Sequence, residues 1–210
     1  MFMKKISKIF PVMMMEAEID NYNSINARLK TEIKSLFDKI NEKRVLSHKW
    51  DDFLITENTH ELGYTSFNSK DYHDLTKISE FDFFYNHISK LITEFFTQLD
   101  YMQDWNFTNS WASVYPRGAY IPLHDHKPVQ WSGVYYVNAP ENCGNIRFID
   151  PKEYALQNEP EGMTGRGFWK HVIVPSSGLM LMFPGYLKHE SLPSESDEDR
   201  IIISFNINCS

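Results

Sequence analysis

The sequence predicts a mainly β, α+β domain: a barrel or sandwich of short strands, supported by helices that precede it in the chain. Three observations carry that reading. Two helical apolar stripes lie in the first half, β-type runs take over after Asp104, and turn residues break those runs at short intervals. Helices first and strands second is the order of an α+β fold, or of a β barrel buttressed by N-terminal helices. With 210 residues the expectation is one domain, 1–210, in which 1–104 supplies an N-terminal strand and supporting helices and 105–210 the β core.

Residues 9–19 open the chain as a strand. Lys4, Lys5 and Lys8 precede its apolar run, but Pro11 interrupts the run and no small-residue cleavage site follows, so a buried strand is expected rather than a signal peptide. Asp20 and Asn21 offer helix N-caps. Ile25, Leu29, Ile33, Phe37 and Ile40 then recur at helical spacing, predicting an amphipathic helix that ends near Lys43. The segment 46–69 is polar and aromatic, and reads as a long excursion with one strand. A second helix is expected over 80–101, with Phe84, Ile88, Leu91, Phe95 and Leu99 as its stripe.

After Asp104 strands are expected at 106–115, 130–137, 145–149, 167–174, 178–183 and 200–208. Pro116-Arg117-Gly118, Asn138-Ala139-Pro140, Asp150-Pro151, Pro175-Ser176-Ser177-Gly178 and Pro184-Gly185 mark the breaks. A mobile loop is expected across 151–166.

Composition narrows the function. Hydrophobic residues make up 42% of the chain and aromatic residues 15%, enough for a core that needs no disulfides. The formal net charge of −7 disfavours nucleic acid as a partner, because its backbone binds a basic face. The two cysteines, Cys143 and Cys209, form no CxxC pair, which disfavours a cysteine zinc site and suits a reducing cytoplasm. No apolar run of about 20 residues is present, so no membrane span is expected. A homodimer is left open.

The histidines are unevenly placed. His124 and His126 flank Asp125 just ahead of the strong strand around Trp131–Val137, and His189 follows the Pro184-Gly185 turn. Residues two apart in extended chain point the same way, so His124 and His126 can present two imidazoles to one point while Asp125 faces away. His189 closes a facial triad, which leaves three positions open on an octahedral metal. A bulge that turned Asp125 inward would make it the ligand instead. His48, His60, His73, His87 and His171 read as structural residues. Arg200 opens the last strand, with Ile202, Ser204 and Asn206 on its face. Inside a barrel its guanidinium needs an anion, and a dicarboxylate matches its fork.

The runs YPRGAYIPLHDHKPVQWSGVYYVNAPENCGNIRFIDP and GLMLMFPGYLKHESLPSESDEDRIIISFNI resemble the core of the Fe(II)/2-oxoglutarate-dependent dioxygenases, nearest the prolyl-hydroxylase-like branch and its bacterial and phage relatives. The likeness spans 107–208, with a fainter echo at SKIFPV near the start. It implies a double-stranded β-helix, or jelly roll, with N-terminal supporting helices. It implies Fe(II), 2-oxoglutarate and O2 as cofactor and co-substrates. His124, His126 and His189 then stand at the metal-ligand positions and Arg200 at the residue that grips the far carboxylate of 2-oxoglutarate. Tyr136 stands at a tyrosine that helps hold that carboxylate, and Tyr115 near the co-substrate. The implied reaction decarboxylates 2-oxoglutarate to succinate and CO2 and hydroxylates a C–H bond of a small-molecule, amino-acid or peptidyl substrate.

Two departures from the family pattern stand out. His126 occupies the place of the usual carboxylate, so an Fe(II) site with the co-substrate dianion sums to zero instead of minus one, which raises its ferrous/ferric potential. Ile202 occupies the serine place of the usual Arg-x-Ser, with Ser204 one step further along the same face. Two other readings fit the same residues. A cupin-like three-histidine protein would carry a metal without 2-oxoglutarate and would not need Arg200 with Tyr136. A jelly roll kept as a non-catalytic binding module would need neither. Arg147 reads either as a substrate contact or as the partner of Asp150 or Glu141. Trp131, Tyr135, Phe148 and Phe183 read as barrel packing, and Glu195, Asp197, Glu198 and Asp199 as a solvated turn.

Overall fold

The structure is a computed structural model that describes residues 11–47, 63–100, 104–152 and 170–210, and the side chains of these except 41–47. Among the described residues ten strands form two antiparallel sheets. The larger sheet has the order β1-β8-β5-β10-β3-β2 and the smaller β4-β9-β6-β7. The strands are β1 (Met15–Glu18), β2 (Tyr64–Thr65), β3 (Trp105–Tyr115), β4 (Ile121–His124) and β5 (Trp131–Asn138). They continue with β6 (Ile146–Ile149), β7 (Lys170–Ile173), β8 (Leu179–Pro184), β9 (His189–Ser191) and β10 (Arg200–Cys209). Helices α1 (Tyr22–Ser47) and α2 (Asp82–Gln98) precede the main strands, with two 3-10 turns leading into α2. No helix among the described residues is long and apolar enough to cross a membrane.

Period-two alternation sends the central strands' side chains to two cores. Trp131, Tyr135 and Val137 of β5, Met180 and Met182 of β8, and Ile203, Phe205 and Ile207 of β10 pack beneath the helices. Their alternates, Val134 and Tyr136, Leu181 and Phe183, and Ile202, face the smaller sheet, meeting Ile146, Phe148 and Ile173. The helices meet the first core with Leu29, Ile33, Leu36 and Ile40 and with Phe84, Ile88, Ile92 and Phe96. Each such burial stabilises by roughly 1.5–3 kcal/mol. Polar pins cross this layer: the Tyr135 hydroxyl donates to Asn26 Oδ1 at 2.6 Å, and the Tyr85 hydroxyl to Ser110 Oγ at 2.6 Å. Two sheets facing across an apolar interior, with helices against the outer face of one, make a jelly roll with supporting helices.

Several expectations shift in detail. In α1, Leu36 is buried and Phe37 only partly so, and in α2 the buried stripe adds Tyr85, Ile92 and Phe96. Asn21 takes a left-handed φ of 56° at the turn before α1. β1 is shorter than the predicted 9–19, whose first two residues lie outside the described ones. The predicted loop at 151–166 falls almost wholly outside them, as do His48, His60, the start of the strand expected from 167, and most of SKIFPV. β4 and β9 were not predicted. Four and three residues long, and carrying Pro122 and the charged Glu190, they show too little alternation to read as strands.

Candidate metal and co-substrate site

β4 and β9 are neighbours in the smaller sheet, and their register sets His124 directly opposite His189. Their ring centroids lie 4.3 Å apart. β4 ends at His124, so His126 reaches the same point from a turn rather than from extended chain. That turn is tied down by backbone: His126 N–H donates to Gly185 O at 2.8 Å and Val129 N–H to His126 O at 2.9 Å. The Pro184-Gly185 turn fits so closely that a β-carbon on Gly185 would stand 2.1 Å from Val129 O. The ligand atoms of His124, His126 and His189 all lie within 4.8 Å of one another. Among the described residues no other group of metal-ligating side chains gathers, and His73, His87 and His171 stand apart.

The chemistry of this donor set suits a divalent metal. His124 Nδ1 lies 2.8 Å from Pro122 O, and His189 Nδ1 lies 2.9 Å from Leu187 O. A carbonyl only accepts, so each Nδ1 carries the proton and each Nε2 keeps its lone pair for a metal. Burial pushes His189 down to about 3, with His124 beside it adding to the fall. Burial likewise pushes His126 down to about 4. Both imidazoles are therefore neutral near pH 7, the form that ligates. Asp125 stays out of the cluster: its carboxylate takes the Lys127 N–H at 3.3 Å and pairs with Lys127 Nζ at 3.3 Å. The bulge-rotated alternative is not what the fold adopts.

These shifts make the metal-free protein acid-sensitive. The unfolded chain protonates its histidines near the ordinary 6.5, whereas the folded chain holds His189 and His126 neutral down to about 3 and 4. Between those limits the unfolded state binds more protons, so stability is present above about 6.5 and is lost as pH falls toward 3. The unfolding free energy of chelator-treated protein, read by urea titration, should fall from pH 6.5 to 4.5, by at most about 1.4 kcal/mol per pH unit for each histidine. His189→Gln should flatten the slope, because His189 is the more deeply buried of the two; an unchanged slope would show that the burial of His189 is not its source.

Arg200 enters the same cavity from the opposite sheet. It is 1% exposed, yet among the described residues no carboxylate pairs with it. Its Nη1 donates to Cys143 O at 2.7 Å and Gly144 O at 3.2 Å, and its Nη2 to Ser191 Oγ at 2.9 Å. The Gly144 approach needs glycine: φ is +90°, and a β-carbon there would stand 2.1 Å from Leu192 O. The Arg200 guanidinium carbon also lies 4.8 Å from the Tyr115 ring centroid. Tyr136 is buried beside it, and burial raises its phenol well above the usual value against the pull of the Arg200 charge.

One cavity of about 120 Å³ contains all three histidines, Arg200, Tyr136, Tyr115 and Ser204. Ile202 adds an apolar wall to it. A more open groove of about 480 Å³ shares Trp111, Tyr115, His124 and His126 with the cavity and is bordered further out by Phe67, Asn109 and Asn206. Arg147 is half-buried and resolves differently from either sequence reading: it pairs with Glu190, Nη2 to Oε1 at 2.5 Å, across the β6–β9 ladder. Trp111 is the residue the sequence concealed, since within β3 it reads as one more aromatic strand position.

A jelly roll with three convergent imidazoles and an interior arginine fits a mononuclear metal site beside an anion pocket, and the comparisons point the same way. Residues 109–206 match the family model described as "Putative 2OG-Fe(II) oxygenase". That segment, a little under half of the chain, resembles the 2OG-Fe(II) oxygenases, oxidoreductases that use Fe(II), 2-oxoglutarate and O2. No curated protein matches the sequence. Among solved structures, a Pseudomonas putida prolyl-4-hydroxylase is 16% identical at a TM-score of 0.57, covering 93% of this chain and 92% of that one. A prolyl hydroxylase from Trichoplax adhaerens, in complex with a hypoxia inducible factor peptide fragment, is 14% identical at a TM-score of 0.59, covering 92% and 82%. The non-heme alpha ketoglutarate dependent carbocyclase SnoK from nogalamycin biosynthesis is 10% identical at a TM-score of 0.63, covering 93% and 79%. At such identities these likenesses establish the fold alone.

Proposed function

We propose that this protein is an Fe(II)- and 2-oxoglutarate-dependent hydroxylase of the prolyl-hydroxylase-like branch, acting on a C–H bond of an amino-acid or peptidyl substrate. The observation that carries the reading is a single cavity holding three convergent imidazoles and one buried guanidinium with no carboxylate partner among the described residues. His124, His126 and His189 hold the metal. Arg200 takes the far carboxylate of 2-oxoglutarate with its remaining donors, and Tyr136, Tyr115 and Ser204 surround the co-substrate. When bound, the metal with 2-oxoglutarate and O2 supplies the oxidising power, releasing succinate and CO2.

The chain's own residues bind, orient and exclude water. The Pro122 and Leu187 carbonyls fix two ligand tautomers. Ile202, Val134 and Phe183 keep the cavity apolar around the co-substrate, which strengthens the Arg200 contact. The outer groove, open to solvent and sharing two of the ligand histidines, receives the substrate. Residues 1–104 serve as support and 105–210 as the catalytic core of one domain. The two free cysteines suit a cytoplasmic protein, and the net charge of −7 argues against nucleic acid as its partner.

Anaerobic titration of Fe(II)-loaded protein with 2-oxoglutarate tests this. A visible metal-to-ligand charge-transfer band that saturates with co-substrate is expected. Bound iron with no such band would leave a cupin-like metal site, and protein that takes up no divalent metal would leave a non-catalytic module.

A further inference from the structure

The three histidines are not held alike. His124 and His189 each give a ring proton to a backbone carbonyl, whereas among the described residues no hydrogen-bond partner is found for the His126 ring. That ring is held by stacking instead. It lies parallel to His189, 4° between planes and 5.1 Å between centroids, and it also stacks on Trp111, 26° and 6.1 Å. Trp111 is itself fixed edge-on by Phe67, with centroids 4.9 Å apart. Trp111 belongs to the long strand β3, paired there with Ser204 of β10, so its backbone is fixed by the sheet.

Outer contacts of a ligating histidine ordinarily do two things: they fix the tautomer and they fix the ring plane. For His126 only the second is supplied, and an aromatic face supplies it. We propose that Trp111 is a positioning residue for the third metal ligand, setting the plane of His126 where no hydrogen bond does. The inference rests on the metal-site reading above and adds a residue to it. A carboxylate ligand in place of His126 would gain little from a flat aromatic neighbour, so Trp111 matters because a histidine stands there.

The test uses the full chain loaded with Co(II), read by calorimetry for affinity and by the visible d–d bands for ligand geometry. Trp111→Leu should weaken Co(II) binding by about 10-fold, the lower end for an outer contact of a ligand histidine, and should shift the d–d bands. Trp111→Phe keeps an aromatic face and should stay within about 3-fold of the parent, with parent-like bands. If Trp111 acts through His126, then adding Trp111→Leu to His126→Ala should cost no further affinity. Thermal melts of the apo variants separate loss of fold from loss of positioning. Parent-like affinity and bands in a folded Trp111→Leu would overturn the proposal, as would an equal loss from Trp111→Leu with and without His126. Failure of the parent itself to bind Co(II) would instead overturn the metal-site reading.

Discussion

Replacing Arg200 with methionine should weaken 2-oxoglutarate binding by about 10²–10³-fold while leaving affinity for a divalent metal within a few-fold. The argument starts from charge. Arg200 is 1% exposed and holds three neutral acceptors, so its guanidinium is solvated by dipoles but not neutralised. A dicarboxylate brings the missing charge into a water-poor cavity, where a charge-assisted fork is worth roughly twice a neutral hydrogen bond. Losing that fork is worth about 3–4 kcal/mol, which gives the stated range. Methionine is preferred to alanine because it fills the space and isolates the charge. Arg200→Lys should fall between, since lysine keeps the charge and loses the planar fork. The apo protein should lose little stability, because the buried charge that leaves was itself costly and offsets the acceptors left on Cys143, Gly144 and Ser191. Calorimetric titration of the metal-loaded variants with 2-oxoglutarate reads the effect; unchanged affinity in Arg200→Met would remove this residue from the co-substrate site.

The second large effect concerns the ligands. His189→Gln should reduce divalent-metal affinity by well over the roughly 10- to 100-fold that loss of an outer contact costs, and His124→Gln should match it. Both rings are pre-set through Nδ1, so they meet the metal already oriented. His126→Gln should cost less, because its ring is held by stacking alone and loses more freedom on binding. His126→Asp makes a different point. It restores the carboxylate usual in the family and adds one negative charge, so the metal should stay bound while the ferrous/ferric potential falls. Glutamine is used at position 189 because the ring packs edge-on against Phe183, centroids 4.6 Å apart, and alanine would add a cavity to the loss of a ligand. Cobalt titration ranks the variants, and parent-like affinity in His189→Gln would rule His189 out as a ligand.

The sequence by itself determined a mainly β domain with two supporting helices and the identity of the clustered residues, and its family resemblance implied the jelly roll. The apolar, β-branched and aromatic runs of β5, β8 and β10 are local signals bounded by turn residues, and the spacing of His124, His126 and His189 relative to the Pro184-Gly185 turn is a linear pattern. The period-two argument set Asp125 apart from its two neighbours, but His126 lies beyond the end of β4, so the turn tied to Gly185 and not extended chain brings it to His124. What the linear pattern does not contain is the partner at long range. β4 and β9 exist because each completes the other's ladder, and three or four residues show no period of their own. Arg147 finds Glu190 rather than nearby Asp150 or Glu141 because sheet register, not sequence distance, makes neighbours. Two of the three acceptors of Arg200 are carbonyls of Cys143 and Gly144, more than fifty residues away and present in every residue type, so no side-chain motif announces them. Trp111 reads as core from its strand alone, and only the crossing of β3 with the 126–129 turn lays its ring on His126. Short-range periodicity fixes which face each side chain takes; which other face it meets is set by tertiary packing, where backbone dipoles and ring planes decide the site.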